Sequence, residues 1–214
     1  LQLKLHDMEV LPIPVEDDGL SVEALEAAIA AGRVPKLLYT IPNFQNPSGA
    51  TISEAKRRAL AEVCTRHGIL ILEDDPYGKL RFEGEALPSI FELAGDENVI
   101  FTSSFSKTVA PGLRVGYLVA PAGIAKQLAA AASRTYISPA LLSEGAIHRL
   151  IVDGKLPANI EHVTALMRER RDAMMEGLKH FPEGTRCLPP AGGFFAWLEL
   201  PEGPSADPPL APPA

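Results

Sequence analysis

Ser103-Ser104-Phe105-Ser106-Lys107-Thr108-Val109-Ala110-Pro111-Gly112-Leu113-Arg114 follows directly on a short apolar, β-prone run, Val99-Ile100-Phe101-Thr102. A strand that ends in a polar, cationic turn fits a parallel sheet, where ligands bind at the carboxyl ends of strands. Hydroxyls stand one and three residues before Lys107, and Arg114 stands seven residues after it. Serine offers short donors and arginine a planar fork of them, so Ser104, Ser106 and Arg114 suit a phosphate. Nearby cations and desolvation free a lysine amine, which makes Lys107 a candidate Schiff-base former. Standing alone, the same residues would make an ordinary basic loop with serine turns. The rest of the chain decides between these readings.

Working outward, apolar β-prone runs alternate with helical patterns. Strands are expected at Lys36 to Thr40, Ile69 to Leu72, Val99 to Thr102 and Val115 to Val119. The continuous run Ile69-Leu70-Ile71-Leu72 has the character of a strand buried on both faces. Between them, Ser21 caps a helix to Ala31 and Ser53 caps one to about Arg66, which Gly68 ends. Shorter helical stretches cover Ile90 to Leu93 and Pro121 to about Ala132. Val10 to Val15, interrupted by Pro12 and Pro14, reads as an edge strand before the turn Asp17-Asp18-Gly19. Strand and helix in repetition predict an α/β fold, a mostly parallel sheet flanked by helices. Asn46, Asp74 with Tyr77, and Ser104 with Lys107 each follow a different strand, so three strand ends present polar groups on one rim.

The later part is helical. One helix is expected from Ser138 to Val152. A long one is opened by Pro157 and runs to about Lys179, with Ile160, Val163, Met167, Met174 and Leu178 as its buried stripe. Phe194 to Leu198, after Gly192-Gly193, reads as a strand. Residues 1–155 are assigned to a large ligand-binding domain and 156–200 to the long helix and first part of a smaller α/β domain. Residues 201–214 are a Pro/Ala-rich tail, expected to be disordered because such a composition supplies neither ladder donors nor a core. The chain opens at Leu1 inside a strand-like segment (Leu1, Leu3, Leu5), which reads as a fragment of a longer protein.

A content of 46% hydrophobic and 22% charged residues supports a packed core. The net charge of −7 and the lack of a basic run exclude nucleic acid and an anionic membrane surface as expected partners. No apolar stretch of about 18 residues exists, so no membrane-spanning helix is expected. Cys64 and Cys187 share no short motif and read as free thiols of a reducing, cytoplasmic compartment. The 5 histidines are scattered without metal-ligand spacing, so no metal is expected.

Two further motifs carry chemistry. Asn43-Phe44-Gln45-Asn46-Pro47-Ser48-Gly49 is in isolation a turn, but its amide can donate to a phenolate oxygen. Glu73-Asp74-Asp75-Pro76-Tyr77 ends a buried strand. It could be a solvated acidic turn or a magnesium site, though the latter lacks its phosphate-binding partner loop. A carboxylate there can also keep a pyridine nitrogen protonated, beside a phenol near the ring hydroxyl.

Taken in order, Asn46-Pro47-Ser48-Gly49, Asp74-Asp75-Pro76-Tyr77 and Ser104-Phe105-Ser106-Lys107 with Pro111-Gly112-Leu113-Arg114-Val115-Gly116 resemble the class I and II aminotransferases of fold type I. The wording of Tyr39 to Pro47 and Glu73 to Gly78 is most similar to the 2-aminoadipate and aromatic branch. The resemblance covers roughly Val10 to Pro201 and implies pyridoxal 5'-phosphate as cofactor, amino-acid and 2-oxo-acid substrates, and a homodimer. It implies that Lys107 bonds the cofactor as an internal aldimine and then shuttles the substrate α-proton. Asp74 would pair with the pyridine nitrogen, Asn46 and Tyr77 with the ring hydroxyl oxygen, and Ser104, Ser106 and Arg114 with the phosphate. It also implies that a phosphate loop and a ring-stacking aromatic lie N-terminal to this chain, and a substrate-carboxylate arginine C-terminal to it. Two other outcomes share the scaffold: the effector-sensing domain of a transcriptional regulator, and a lyase or decarboxylase.

Overall fold

The computed structural model describes residues 6–95 and 97–201. The strand-like start at Leu1 to Leu5 and the Pro/Ala tail lie outside the described residues. A central sheet takes the strands in sequence order: β3 (Leu37–Thr40), β4 (Leu70–Asp74), β5 (Val99–Ser104) and β6 (Gly116–Val119). β3, β4 and β5 are parallel, with Thr40 opposite Glu73 and Asp74 opposite Thr102. β6 runs antiparallel to β5 and sets Gly116 against Ser104. The amino end of β6 therefore reaches the rim where the parallel strands have their carboxyl ends.

Helix α1 (Val22–Ala30) starts at Ser21, whose hydroxyl accepts from the Ala24 amide, and α2 (Glu54–His67) starts in the same way at Ser53. Gly68 ends α2 in the left-handed region at φ 65°, where a side chain would be strained. The short α3 (Ile90–Ala94) opens with a reciprocal Ser89–Glu92 capping box. These helices cover one face of the sheet. Leu25, Leu60, Cys64, Ile69, Ile71, Ile90 and Val99 are sealed from solvent between the layers. Burial of each large aliphatic side chain stabilises by about 1.5–3 kcal/mol, which makes this layer the mechanical base of the rim.

Five sequence expectations change. Residues 10–14 form no strand, because Pro12 and Pro14 lack ladder donors; only β1 (Val15–Glu16) pairs, with β2 (Gly19–Leu20) across the Asp17-Asp18 turn. α4 (Ala122–Thr135) runs beyond Ala132, and α5 (Leu141–Val152) begins only after Pro139. α6 (Leu156–Gly177) is long, as read, but its apolar stripe is only half-buried and Met174 is exposed. Its contacts include polar ones, from Arg168 to the Phe82 carbonyl and from Arg171 to the Pro190 carbonyl. The expected strand Phe194 to Leu198 is mostly irregular; β8 is only Leu198–Glu199 and pairs with β7 (Arg186–Cys187). Gly192 is diverted to bridge Arg81.

Candidate active site

The rim is built strand by strand. After β3, the segment from Pro42 to Ala50 folds back, with Gln45 and Ala50 joined through the main chain. It holds Asn46 exposed at the rim, just before a cis peptide bond to Pro47. After β4 come Asp74 and the buried Tyr77. The Asn46 amide lies near enough to the Tyr77 phenol to favour its ionised form, so two expected site residues from different strands come together. Burial, followed by the negative charge of Asp74, raises the Tyr77 phenol above the usual tyrosine range; the Asn46 contact opposes this.

Asp74 and Asp75 have separate tasks. The Asp74 carboxylate accepts from the Tyr39 hydroxyl at 2.8 Å on one oxygen and from the Thr102 hydroxyl at 3.1 Å on the other. A carboxylate has about four acceptor sites, so this one is oriented with capacity to spare. Asp75 instead turns into the fold, where its oxygens accept from the Asn43 amide at 3.0 Å and the Gly78 amide at 2.8 Å. Burial pushes the Asp75 carboxyl up, and those two hydrogen bonds and Arg57 work against the shift. Successive residues of a strand end point to opposite sides, which is why the neighbours diverge.

After β5, the Ser104 and Ser106 hydroxyls lie 2.9 Å apart, and the Ser106 amide donates to Ser104 Oγ at 3.1 Å. Arg114 Nη1 donates to Ser106 Oγ at 3.3 Å. Arg114 has a left-handed backbone, φ 54°, at the end of the 3₁₀ turn Pro111–Leu113; this bend turns the chain back into β6. Among the described residues, neither Lys107 nor Arg114 forms a salt bridge. Lys107 Nζ lies 5.3 Å from the centre of the Phe194 ring, and Phe194 in turn lies 6.3 Å from Tyr77. Asn159 of α6 donates to the Thr108 carbonyl at 2.6 Å and ties down the residue after Lys107.

All seven expected residues thus lie at one edge of the sheet, as an Asn46–Tyr77–Asp74 group, a Ser104–Ser106–Arg114 group, and Lys107 beside Phe194. Sequence reasoning missed Tyr39, Thr102 and Phe194. Tyr39 carried a faint signal: it precedes Thr40 on a strand beside the one that ends in Asp74. Burial and Asp74 together raise its phenol far above the usual range.

The sequence pattern of the family described as aminotransferase class I and II matches residues 2–207. The chain belongs to that family. The chain is 35% identical over 205 residues to aromatic-amino-acid aminotransferase 1 of Thermococcus litoralis, covering 94% of itself and 49% of that protein. The crystal structure of LysN, the alpha-aminoadipate aminotransferase of Thermus thermophilus, complexed with N-(5'-phosphopyridoxyl)-L-leucine, superposes with a TM-score of 0.88 at 35% identity. That match covers 95% of this chain and 53% of LysN. An uncharacterized HTH-type transcriptional regulator, YisV, of Bacillus subtilis is 31% identical over 192 residues, 89% of this chain and 40% of the regulator. The chain spans about half the length of the first two proteins.

Proposed function

We propose that the protein containing this chain is a pyridoxal 5'-phosphate-dependent aminotransferase that exchanges an amino group between an L-amino acid and a 2-oxo acid. The observation that carries the reading is the order of groups along the rim. An amide follows β3, a carboxylate and a phenol follow β4, a lysine and hydroxyls follow β5, and a guanidinium precedes β6. The donor set fits a phosphorylated pyridine: Ser104, Ser106 and Arg114, which has no carboxylate partner among the described residues, suit a dianion, and Asp74 suits a ring N–H.

When bound, pyridoxal phosphate supplies an electron sink conjugated to the substrate's α-carbon. Lys107 holds it covalently through Nζ and moves the α-proton on the same atom. Asp74, oriented by Tyr39 and Thr102, holds the ring nitrogen's proton. Asn46 and Tyr77 donate to the ring oxygen. Ser104, Ser106 and Arg114 anchor the phosphate. In the same reading, residues 156–200 begin a second, smaller domain after a large domain ending near 155.

The aromatic and aminoadipate relatives favour donors of those classes. A homodimer is favoured by the apolar stretch around α5, where Tyr136, Ile137, Leu141 and Leu142 are exposed. Cytoplasmic placement is favoured by the free thiols Cys64 and Cys187. Borohydride reduction of the complete, cofactor-loaded protein, followed by peptide mapping, should label Lys107. A label on another lysine overturns the assignment. The YisV relative supports one second reading, an effector-sensing domain; cofactor binding without release of a 2-oxo acid would favour it. Release of ammonia or carbon dioxide would instead indicate a lyase or decarboxylase.

A further inference from the structure

One polar chain beneath the rim touches none of the groups assigned to the cofactor. Arg57 of α2 is sealed from solvent, and its guanidinium donates to the carbonyls of Ile52 at 2.9 Å, Pro88 at 2.9 Å and Pro42 at 3.1 Å, and to Asn43 Oδ1 at 2.7 Å. Arg81 donates to the same Asn43 oxygen at 3.2 Å. Two guanidinium donors on Oδ1 fix which way the Asn43 amide faces, so its Nδ2 is presented to Asp75 Oδ2 at 3.0 Å. Asp75 Oδ1 is taken by the Gly78 amide. Position 78 is a glycine for a reason visible here: a β-carbon would overlap the Asp75 carboxylate and come within 2.8 Å of Asn43 Nδ2.

This Asn43–Asp75 contact joins two loops that have no ladder between them. Asn43 precedes Asn46 in the loop after β3. Asp75 stands between Asp74 and Tyr77 in the turn after β4. We propose that Asn43 and Asp75 are positioning residues, whose hydrogen bond, oriented by Arg57 and Arg81, sets the Asn46 amide against the Tyr77 phenol. The proposal rests on the cofactor reading of the rim for its purpose, but not for its geometry. Removing one partner of a largely desolvated polar pair is costly, because the other is left with an unmet donor or acceptor.

The test is a polarity swap in the complete protein. Asn43→Asp keeps the acceptor for both arginines but loses the donor to Asp75. Asp75→Asn keeps the acceptor for Gly78 but turns an amide toward the Asn43 amide. The double variant restores the contact with donor and acceptor exchanged and the same net charge. Tyr77 ionisation is read by ultraviolet difference titration of cofactor-free protein, against a Tyr77→Phe background.

Each single variant should raise the Tyr77 midpoint by about half a pH unit or more, since the Asn46 amide is no longer held beside the phenol. Each should weaken pyridoxal phosphate binding about tenfold, or 1.4 kcal/mol. The double variant should return both readings to within about twofold of the parent. Folded single variants with an unmoved Tyr77 midpoint overturn the proposal. So does a double variant that fails to fold or behaves as the sum of the singles. A restored Tyr77 midpoint without cofactor binding in any form, parent included, overturns the cofactor reading and leaves the positioning role standing.

Discussion

At the β3–β4 end of the rim, Asn46, Asp74 and Tyr77 stand on a buried polar chain that runs through Asn43, Asp75 and Arg57. At the β5–β6 end, Ser104, Ser106 and Arg114 hold one another through hydroxyls, with Arg114 exposed and no side chain of the helical layer bonded to it. The two ends receive different loads. Contacts to a ring nitrogen and a ring oxygen must be oriented in angle, and a rigid, desolvated base does that. A phosphate brings its own charge and can organise short, flexible donors around itself. Pre-organisation is thus concentrated where direction matters.

The largest expected effect breaks the β3–β4 end at the chemistry itself. Asp74→Asn should keep the cofactor but slow single-turnover half-transamination about 10²–10³-fold, the scale for loss of one preorganised electrostatic partner. Asp75→Asn, saturated with cofactor, should be milder in rate. If Asp75→Asn is the slower variant, the roles of the neighbours are reversed.

Next comes the cover over the same end. Gly192→Ala would place a β-carbon into the Phe44 ring and the Leu80 carbonyl. Overpacking against backbone should cost about 2–3 kcal/mol in urea unfolding, where β-carbons at the open positions Gly112 or Gly123 should cost far less.

At the β5–β6 end, Arg114→Ala should weaken cofactor affinity by about 1.5–3 kcal/mol with little change in the rate of the saturated enzyme, because a phosphate contact binds ground and transition states alike. Titration with the cofactor checks this; an affinity unchanged in the variant would mean that Arg114 serves only the bend into β6.

The smallest effect is Tyr39→Phe. The folded state holds the Tyr39 phenol above its ordinary value. Its contribution to stability is therefore complete below the unfolded value of about pH 10 and is lost as pH rises from there through the folded value. The Phe variant should lose at most about 1 kcal/mol at neutral pH and show a shallower alkaline fall in stability. A parent and variant with identical alkaline unfolding curves would remove Tyr39 from the Asp74 contact.

The sequence made the rim legible because strand ends and chemistry coincide there: Asp74, Lys107 and Asn46 each follow an apolar run. The helix starts at Ser21 and Ser53 were legible through their caps. The base was not. Arg57 looks like a surface residue on a charged helix, Glu54 to His67, and nothing local shows that its guanidinium turns inward to four acceptors. Asn43 reads as part of a turn, because its partners lie on other elements. Phe194 to Leu198 had β-prone composition, but the close approach of Gly192 and Gly193 to Phe44 bends the chain away from a ladder. Local pattern reports exposure along one element and is silent on which distant backbone will crowd it.

That crowding sets an order of events during synthesis. Phe44 lies in the first of the described rim loops to leave the ribosome, yet its ring is closed over by Gly192 and Gly193, which leave roughly 150 residues later. At roughly 5–20 residues per second, the ring waits on the order of ten seconds for its cover. Through that interval the nascent β3 loop presents a bare aromatic face, so the segment around Phe44 is where a chaperone that recognises exposed aromatic residues would find this chain.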